Sequence, residues 1–213
     1  MTNVLVLGAN GRIAQLATKQ LLANDRNHLT LFLRNSSRLA DAASDRVKVV
    51  DGDADNEADL KAAMVDADIV YANLAGDNIE DQAKTVVAAM DATDVKRLIW
   101  ISTLGIYDEV PGKYGEFNHK MLDGGYLETY SAAAKVIEGS DLDYTIIRPA
   151  WLSNRDEIDY ETTQKGEPFK GTEVSRKSIA ALVTQLVADP TQSIHASLGV
   201  NKPNTDGDKP VWY

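Results

Sequence analysis

Two glycines, an asparagine and an arginine fall together near the start of this chain, in Gly8-Ala9-Asn10-Gly11-Arg12-Ile13-Ala14. A short apolar run (Val4 to Leu7) precedes them, and apolar residues at helical spacing (Ala14, Leu16, Ala17, Leu21, Leu22) follow. That order is strand, tight turn, helix. Gly8 permits a sharp exit from the strand, Gly11 leaves the backbone open to a ligand, and Ala14 lets the helix pack closely. Unpaired amides and the positive dipole end of a helix start suit a pyrophosphate. Such a turn predicts dinucleotide binding.

A second group refines the ligand. A site preferring NAD carries Asp or Glu at the end of the second strand, on the ribose 2′-hydroxyl. This chain has Arg34 there, followed by Asn35, Ser36, Ser37 and Arg38. Two guanidinium groups with hydroxyls between them attract an anion at the 2′ position, and Arg offers phosphate a bidentate edge. Arg12 adds a third cation. The expected cofactor is therefore NADP (NADPH) in preference to NAD. Asp53, with Ala54 beside it, follows the third strand and suits an adenine amino contact. The plainer role for Asp53 is a helix cap.

These groups need a scaffold. Continuous apolar runs at residues 29–33, 47–50, 68–73, 97–102 and 144–148 read as strands covered on both faces, as in a parallel sheet. Helical patterns lie between them, at 58–64, 81–92 and 130–137, with a late helix at 178–187 closed by Asp189-Pro190. Strict alternation predicts an α/β doubly wound parallel sheet with right-handed crossovers. With 213 residues, the chain is expected to form one domain, residues 1–213, whose part from about 150 to 213 is a small substrate-side extension. Two stretches interrupt the rhythm. Residues 104–128 are polar and glycine-rich and read as a long loop beside the ligand edge; residues 151–173 read as a candidate lid. The aromatic end Val211-Trp212-Tyr213 either docks into its own domain or contacts another subunit.

Composition narrows the partners. A net charge of -10 argues against nucleic acid and anionic membranes. The absence of cysteine excludes disulfides and thiolate chemistry. His28, His119 and His195 lack ligand spacing, and the run of acids Asp51, Asp53, Asp55, Glu57 and Asp59 reads as a solvated helix start, so no metal is expected. The chain enters a strand at once and holds no bilayer-length apolar run, which predicts a cytoplasmic protein, monomeric or homodimeric, acting on a small molecule.

The chain resembles the short-chain dehydrogenase/reductase superfamily, in its atypical, NmrA-like NAD(P)-binding branch. The resemblance spans nearly the whole chain. It is carried by Gly8 to Ile13, Gly52-Asp53, Leu74-Ala75-Gly76, Ile101-Ser102-Thr103, Lys135, Tyr144 to Pro149 and Val174-Ser175-Arg176. It implies a Rossmann fold and a site. Gly8, Asn10, Gly11, Arg12 and Ile13 would line the pyrophosphate, and Ala75 and Gly76 would pass beneath the adenosine ribose. Ser102 and Thr103 would lie by the nicotinamide, Lys135 would bond its ribose, and Pro149, Trp151 and Leu152 would border the ring.

One departure concerns the proton. Classical members use Tyr-x-x-x-Lys, where a spacing of four puts both side chains about 40° apart on one helix face. Here Ser131 stands four before Lys135. Tyr130 is five before it, about 140° away on a regular helix. Three outcomes stay open: a helix start between Tyr130 and Lys135 rescues Tyr130; another phenol, Tyr107 or Tyr126, supplies the proton; or no protein acid acts. Lys135, Tyr130 and Ser102 are the candidate catalytic residues. The expected activity is NADPH-dependent reduction of a small planar or carbonyl acceptor. The alternatives are a non-catalytic NADP sensor and, more remotely, sugar-nucleotide epimerase or dehydratase chemistry.

Overall fold

The computed structural model describes residues 1–213. Its strands are β1 (Thr2–Leu7), β2 (Asn27–Leu33), β3 (Val47–Asp51), β4 (Ile69–Ala72), β5 (Arg97–Ile101), β6 (Asp143–Pro149), β7 (Trp151–Ser153), β8 (Glu161–Thr163), β9 (Glu173–Ser175) and β10 (Ala196–Asn201). Eight of them form one sheet in the order β3-β2-β1-β4-β5-β6-β10-β8, and β7 pairs with β9 in a separate two-stranded ladder. Every pairing of the large sheet is parallel except β10 with β8. The sheet order reverses at β1, which has β2 on one side and β4 on the other. The crevice beyond the carboxyl ends of those strands is where such sheets bind ligands.

The helices are α1 (Arg12–Leu21), α2 (Glu57–Met64), α3 (Ile79–Thr93), α4 (Gly112–Leu122), α5 (Tyr126–Glu138) and α6 (Arg176–Ala188), with a 3-10 segment at Ser36–Ala42. Side chains alternate along each strand. Val4 and Val6 therefore enter the core beneath α1 and α6, while Leu5 and Leu7 enter the core beneath α2, α3 and α5. Both faces being covered explains why the strands read as unbroken apolar runs. The doubly wound architecture expected from the sequence is the one observed. No helix is long and apolar enough to cross a membrane.

Three segments differ from the sequence reading. The stretch 104–128 is not a loop throughout: it contains α4 and the first turn of α5. Its glycines hide the helical pattern, yet Gly115 is needed, since a Cβ there would lie 2.2 Å from the Val110 carbonyl oxygen. Residues 151–173 contribute two short strands rather than a free lid. The strand β10 is not announced by apolar periodicity, because Ser197, Gly199 and Asn201 interrupt it. Ser197 is buried because its hydroxyl accepts from the Arg148 Nε at 3.0 Å. At the carboxyl end, Tyr213 packs edge-on against Phe117 at 5.3 Å and Trp151 at 5.1 Å. The aromatic end thus docks on its own chain.

Candidate functional site

The glycine turn is pressed against the segment that leaves β4. Gly8 has φ +69°, and a Cβ on it would lie 2.3 Å from the Asn73 carbonyl oxygen. A Cβ on Gly11 would lie 2.1 Å from Asn73 Nδ2. Gly11 is also the N-cap of α1 and makes no side-chain cap, so the first amides of that helix are left for a ligand. Asn10 is anchored by Gln15, whose Nε2 donates to the Asn10 carbonyl at 2.8 Å.

A cavity of about 510 Å³ opens from this turn. Gly8, Asn10 and Gly11 line one part of it, Arg34, Asn35 and Arg38 another, and Asp53, Ala54, Ala75 and Gln82 complete the wall. Asn35 adopts a left-handed conformation (φ 63°) that turns the chain from β2 into the 3-10 segment. The carboxylate of Asp51 accepts from the Ser36 amide at 2.7 Å, and that bond holds its pKa below the ordinary aspartate value. Ser37 is exposed, its hydroxyl bonded to Asn35 Oδ1. Asp53 lines the cavity rather than capping α2; the cap is Asn56, which accepts from the amides of Ala58 and Asp59. The arginine ion pairs of the structure are Arg148–Glu109 and Arg155–Glu173. Arg12, Arg34 and Arg38 are exposed and form none. In a chain of net charge -10, two unpaired cations lining one crevice, Arg34 and Arg38, suit a phosphate-bearing ligand, while Arg12, at the start of α1, is outside the lining of both cavities.

A second, smaller cavity of about 240 Å³ lies at the carboxyl ends of β5 and β6. Ser102, Thr103, Pro149, Trp151 and Leu152 line it, joined by Leu122, Tyr126 and Arg176. Ser102 is held by its amide, which donates to the Ile147 carbonyl at 2.7 Å, while its buried Oγ has no protein partner. Trp151 is fixed by a relay: its Nε1 donates to Asn118 Oδ1 at 2.7 Å, and Asn118 Nδ2 donates to the Tyr114 carbonyl at 2.8 Å. Tyr114 in turn donates its hydroxyl to the Thr172 carbonyl at 2.9 Å. The Nη1 of Arg176 donates to the Leu152 carbonyl at 3.2 Å and to Asn154 Oδ1 at 2.9 Å. Burial, and then the nearby Arg12 guanidinium, lower its pKa.

Not every residue singled out from the sequence reaches these cavities. Ile13 is buried in the core under α1, because its position in the first turn faces the sheet. Gly76 (φ +136°) lies next to Asn78 and Gln82, just beyond the cavity wall. Lys135 is exposed on α5 and lines neither cavity. Tyr130 is buried on the opposite side, in the core shared with α3. The helix runs unbroken from Tyr126, with Gly125 as its N-cap and the Glu128 carboxylate accepting from the Gly125 amide at 2.9 Å. No helix start falls between Tyr130 and Lys135, so the structure does not bring those two together.

The other phenols divide clearly. Tyr107 donates to Glu138 Oε1 at 2.7 Å, contacts Ser197 Oγ at 3.1 Å and lies under the Arg148 guanidinium, away from both cavities. Ser131 is engaged as well, donating to the Ile106 carbonyl at 2.9 Å. Tyr126, the first residue of α5, lines the small cavity. Its ring lies 4.4 Å from that of Tyr130, one helical turn later. Burial, followed by the Tyr126 phenol beside it, raises the pKa of Tyr130. The spacing of four that the sequence lacks between tyrosine and lysine is thus met by Tyr126 and Tyr130. Arg176 and Tyr126 join the site because their helix starts converge on one sheet edge, which no local spacing signals.

The residues present fit a phosphate-rich dinucleotide: a glycine cradle, free helix amides, two unpaired arginines in the crevice lining and, in the second cavity, an unpartnered serine hydroxyl. Comparison with known proteins agrees. A family model described as NAD(P)H-binding matches residues 8–190. The chain is similar to a Rossmann-fold NAD(P)-binding family protein from Shigella flexneri, 45% identical over 100% of each chain, with a TM-score of 0.86. It is also similar to a short-chain dehydrogenase/reductase from Veillonella parvula solved in complex with NADP, 30% identical over 99% of each chain, with a TM-score of 0.92. An anaerobilin reductase from Escherichia coli O157:H7 shares the fold, at 20% identity over 97% of this chain and 100% of that one, with a TM-score of 0.79. No functionally curated protein matches the chain.

Proposed function

The chain belongs to the NAD(P)H-binding family, and on that premise we propose that it is an NADPH-dependent reductase of a small planar or carbonyl-bearing acceptor, in the NmrA-like branch. One observation carries the reading. A polar crevice with unpaired arginines and a smaller, largely apolar cavity with one phenol lie along the same carboxyl edge of the sheet.

Bound nicotinamide would supply the hydride. The residues of this chain divide the remaining work. Arg34 and Arg38 bind the phosphate on the adenosine ribose, and Asp53 and Ala54 border the base. The amides following Gly11 and the Arg12 guanidinium bind the pyrophosphate. Ser102 and Thr103 offer hydroxyls at the nicotinamide end. Pro149, Trp151 and Leu152 exclude water from that end, which strengthens every polar interaction within. Tyr126 holds a proton at its Oη for the acceptor oxygen, the role the sequence reading gave first to Tyr130. A cavity of about 240 Å³ admits one or two rings, so the acceptor is small or bound only in part.

The test is a fluorescence titration with NADPH and NADH. NADPH should bind at least about tenfold more tightly, and Arg34→Ala with Arg38→Ala should abolish the difference, since each charge-assisted bond contributes about 1.5–3 kcal/mol. Equal affinities in the unaltered protein would remove the NADP reading. Oxidation of NADPH is then followed with quinones, flavins and small aldehydes. The outward Lys135 favours a second reading, an NADP sensor without turnover; silence across that panel with tight NADPH binding would support it.

A further inference from the structure

Arg176 stands alone among the residues lining the small cavity in carrying a charge, and no carboxylate pairs with it. The lining otherwise includes the apolar or aromatic groups Leu122, Tyr126, Trp151 and Leu152 and the hydroxyl-bearing Ser102 and Thr103. Burial lowers the pKa of Arg176, and the charged side chain that adds to this effect is another cation, Arg12. A half-buried guanidinium without a counter-ion is costly to keep in an acidic protein that has carboxylates to spare.

The hydrogen bonds of the guanidinium are informative. Nη1 spends its two hydrogens on the Leu152 carbonyl and Asn154 Oδ1. Nε and Nη2 have no protein acceptor. Those two nitrogens share the edge of the planar group whose parallel N–H bonds match the two oxygens of a carboxylate. The bonds at Nη1 hold the plane in place, so the free edge is set before a ligand arrives.

We propose that the acceptor is a planar carboxylic acid, its ring held between Trp151 and Tyr126 and its carboxylate received by the Nε–Nη2 edge of Arg176. This rests on reading the small cavity as the acceptor site. Three cationic stations then serve three anions: Arg34 with Arg38, Arg12, and Arg176.

The experiment measures binding to the NADP-saturated protein and needs no turnover. Naphthoate and its uncharged analogue naphthamide are titrated, with tryptophan fluorescence as the readout, into the wild type, Arg176→Lys and Arg176→Met. The wild type should prefer naphthoate about tenfold or more, the equivalent of one charge-assisted bond. Arg176→Lys should keep part of that preference, and Arg176→Met should lose it while binding naphthamide and NADP as before. Equal binding of acid and amide by the wild type, or binding of neither, would overturn the proposal. So would an Arg176→Met protein whose loss falls on NADP rather than on naphthoate, which would assign the guanidinium to the pyrophosphate. Arginine-dependent naphthoate binding together with silence across the quinone, flavin and aldehyde panel would retire the reductase reading and leave Arg176 as the carboxylate-binding residue of a non-catalytic site.

Discussion

The two cavities are built in opposite ways. The polar crevice takes its groups from short consecutive stretches: Gly8 to Gly11, Arg34 to Arg38, and Asp53 with Ala54. Its cations are exposed and unpaired, poised toward solvent. At the end of the sheet edge that holds the small cavity, the lining residues come from the ends of β5 and β6, from β7, from α4, and from the first residues of α5 and α6. That end is held by long-range bonds, chief among them the buried Arg148–Glu109 pair, whose side chains are 0% and 5% exposed. Glu109 also accepts from the amides of Gly105 and Tyr107, both at 3.0 Å. The polar crevice is thus written locally, whereas the small cavity depends on the packing of remote segments.

The largest effect is expected where that contrast is strongest. Glu109→Ala leaves the Arg148 charge buried without a partner, and should destabilise the protein by about 3–5 kcal/mol in urea unfolding. Arg34→Ala, at an exposed unpaired site, should leave the unfolding midpoint unchanged. If both variants unfold alike, the contrast in construction fails.

Next in size is the proton. Tyr126→Phe should lower turnover about a hundredfold or more with an active acceptor, and leave NADPH affinity unaltered. A comparable loss in Tyr130→Phe but not in Tyr126→Phe would move the acid back into the core and undo the division between the phenols.

The smallest effect belongs to the last turn of α4, whose Leu122 lines the small cavity. His119 lies 3.0 Å from Asp123 Oδ1 and 3.2 Å from Asp108 Oδ1. Those carboxylates, Asp123 first, raise its pKa above the ordinary histidine value. A raised histidine pKa contributes stability that is complete below the unfolded value and fades as pH climbs through the folded one. With a side chain 46% exposed, solvent screening limits the contribution to about 0.5 kcal/mol. Denaturant midpoints of wild type and His119→Gln should differ on the acidic side and converge on the alkaline side. A constant difference would show that the histidine acts by packing.

Several elements were legible in the chain itself. Continuous apolar runs gave β1 to β6 within a residue or two, because a strand buried on both faces has little room for polar residues. The glycine turn was legible because Gly8 must take a positive φ and both glycines must touch Asn73. Helix α4 was obscured by its own glycines, and β10 by the buried serine that Arg148 requires.

Local sequence determined the sheet, the glycine turn and the arginines beyond it, since each follows from the conformational needs of a few adjacent residues. Only tertiary structure decided which phenol lines the small cavity, that Lys135 lines neither cavity, and that Arg176 enters the small one uncompensated. Those outcomes depend on where α5 begins and on which helix face the sheet buries, quantities fixed by packing between segments far apart in the chain.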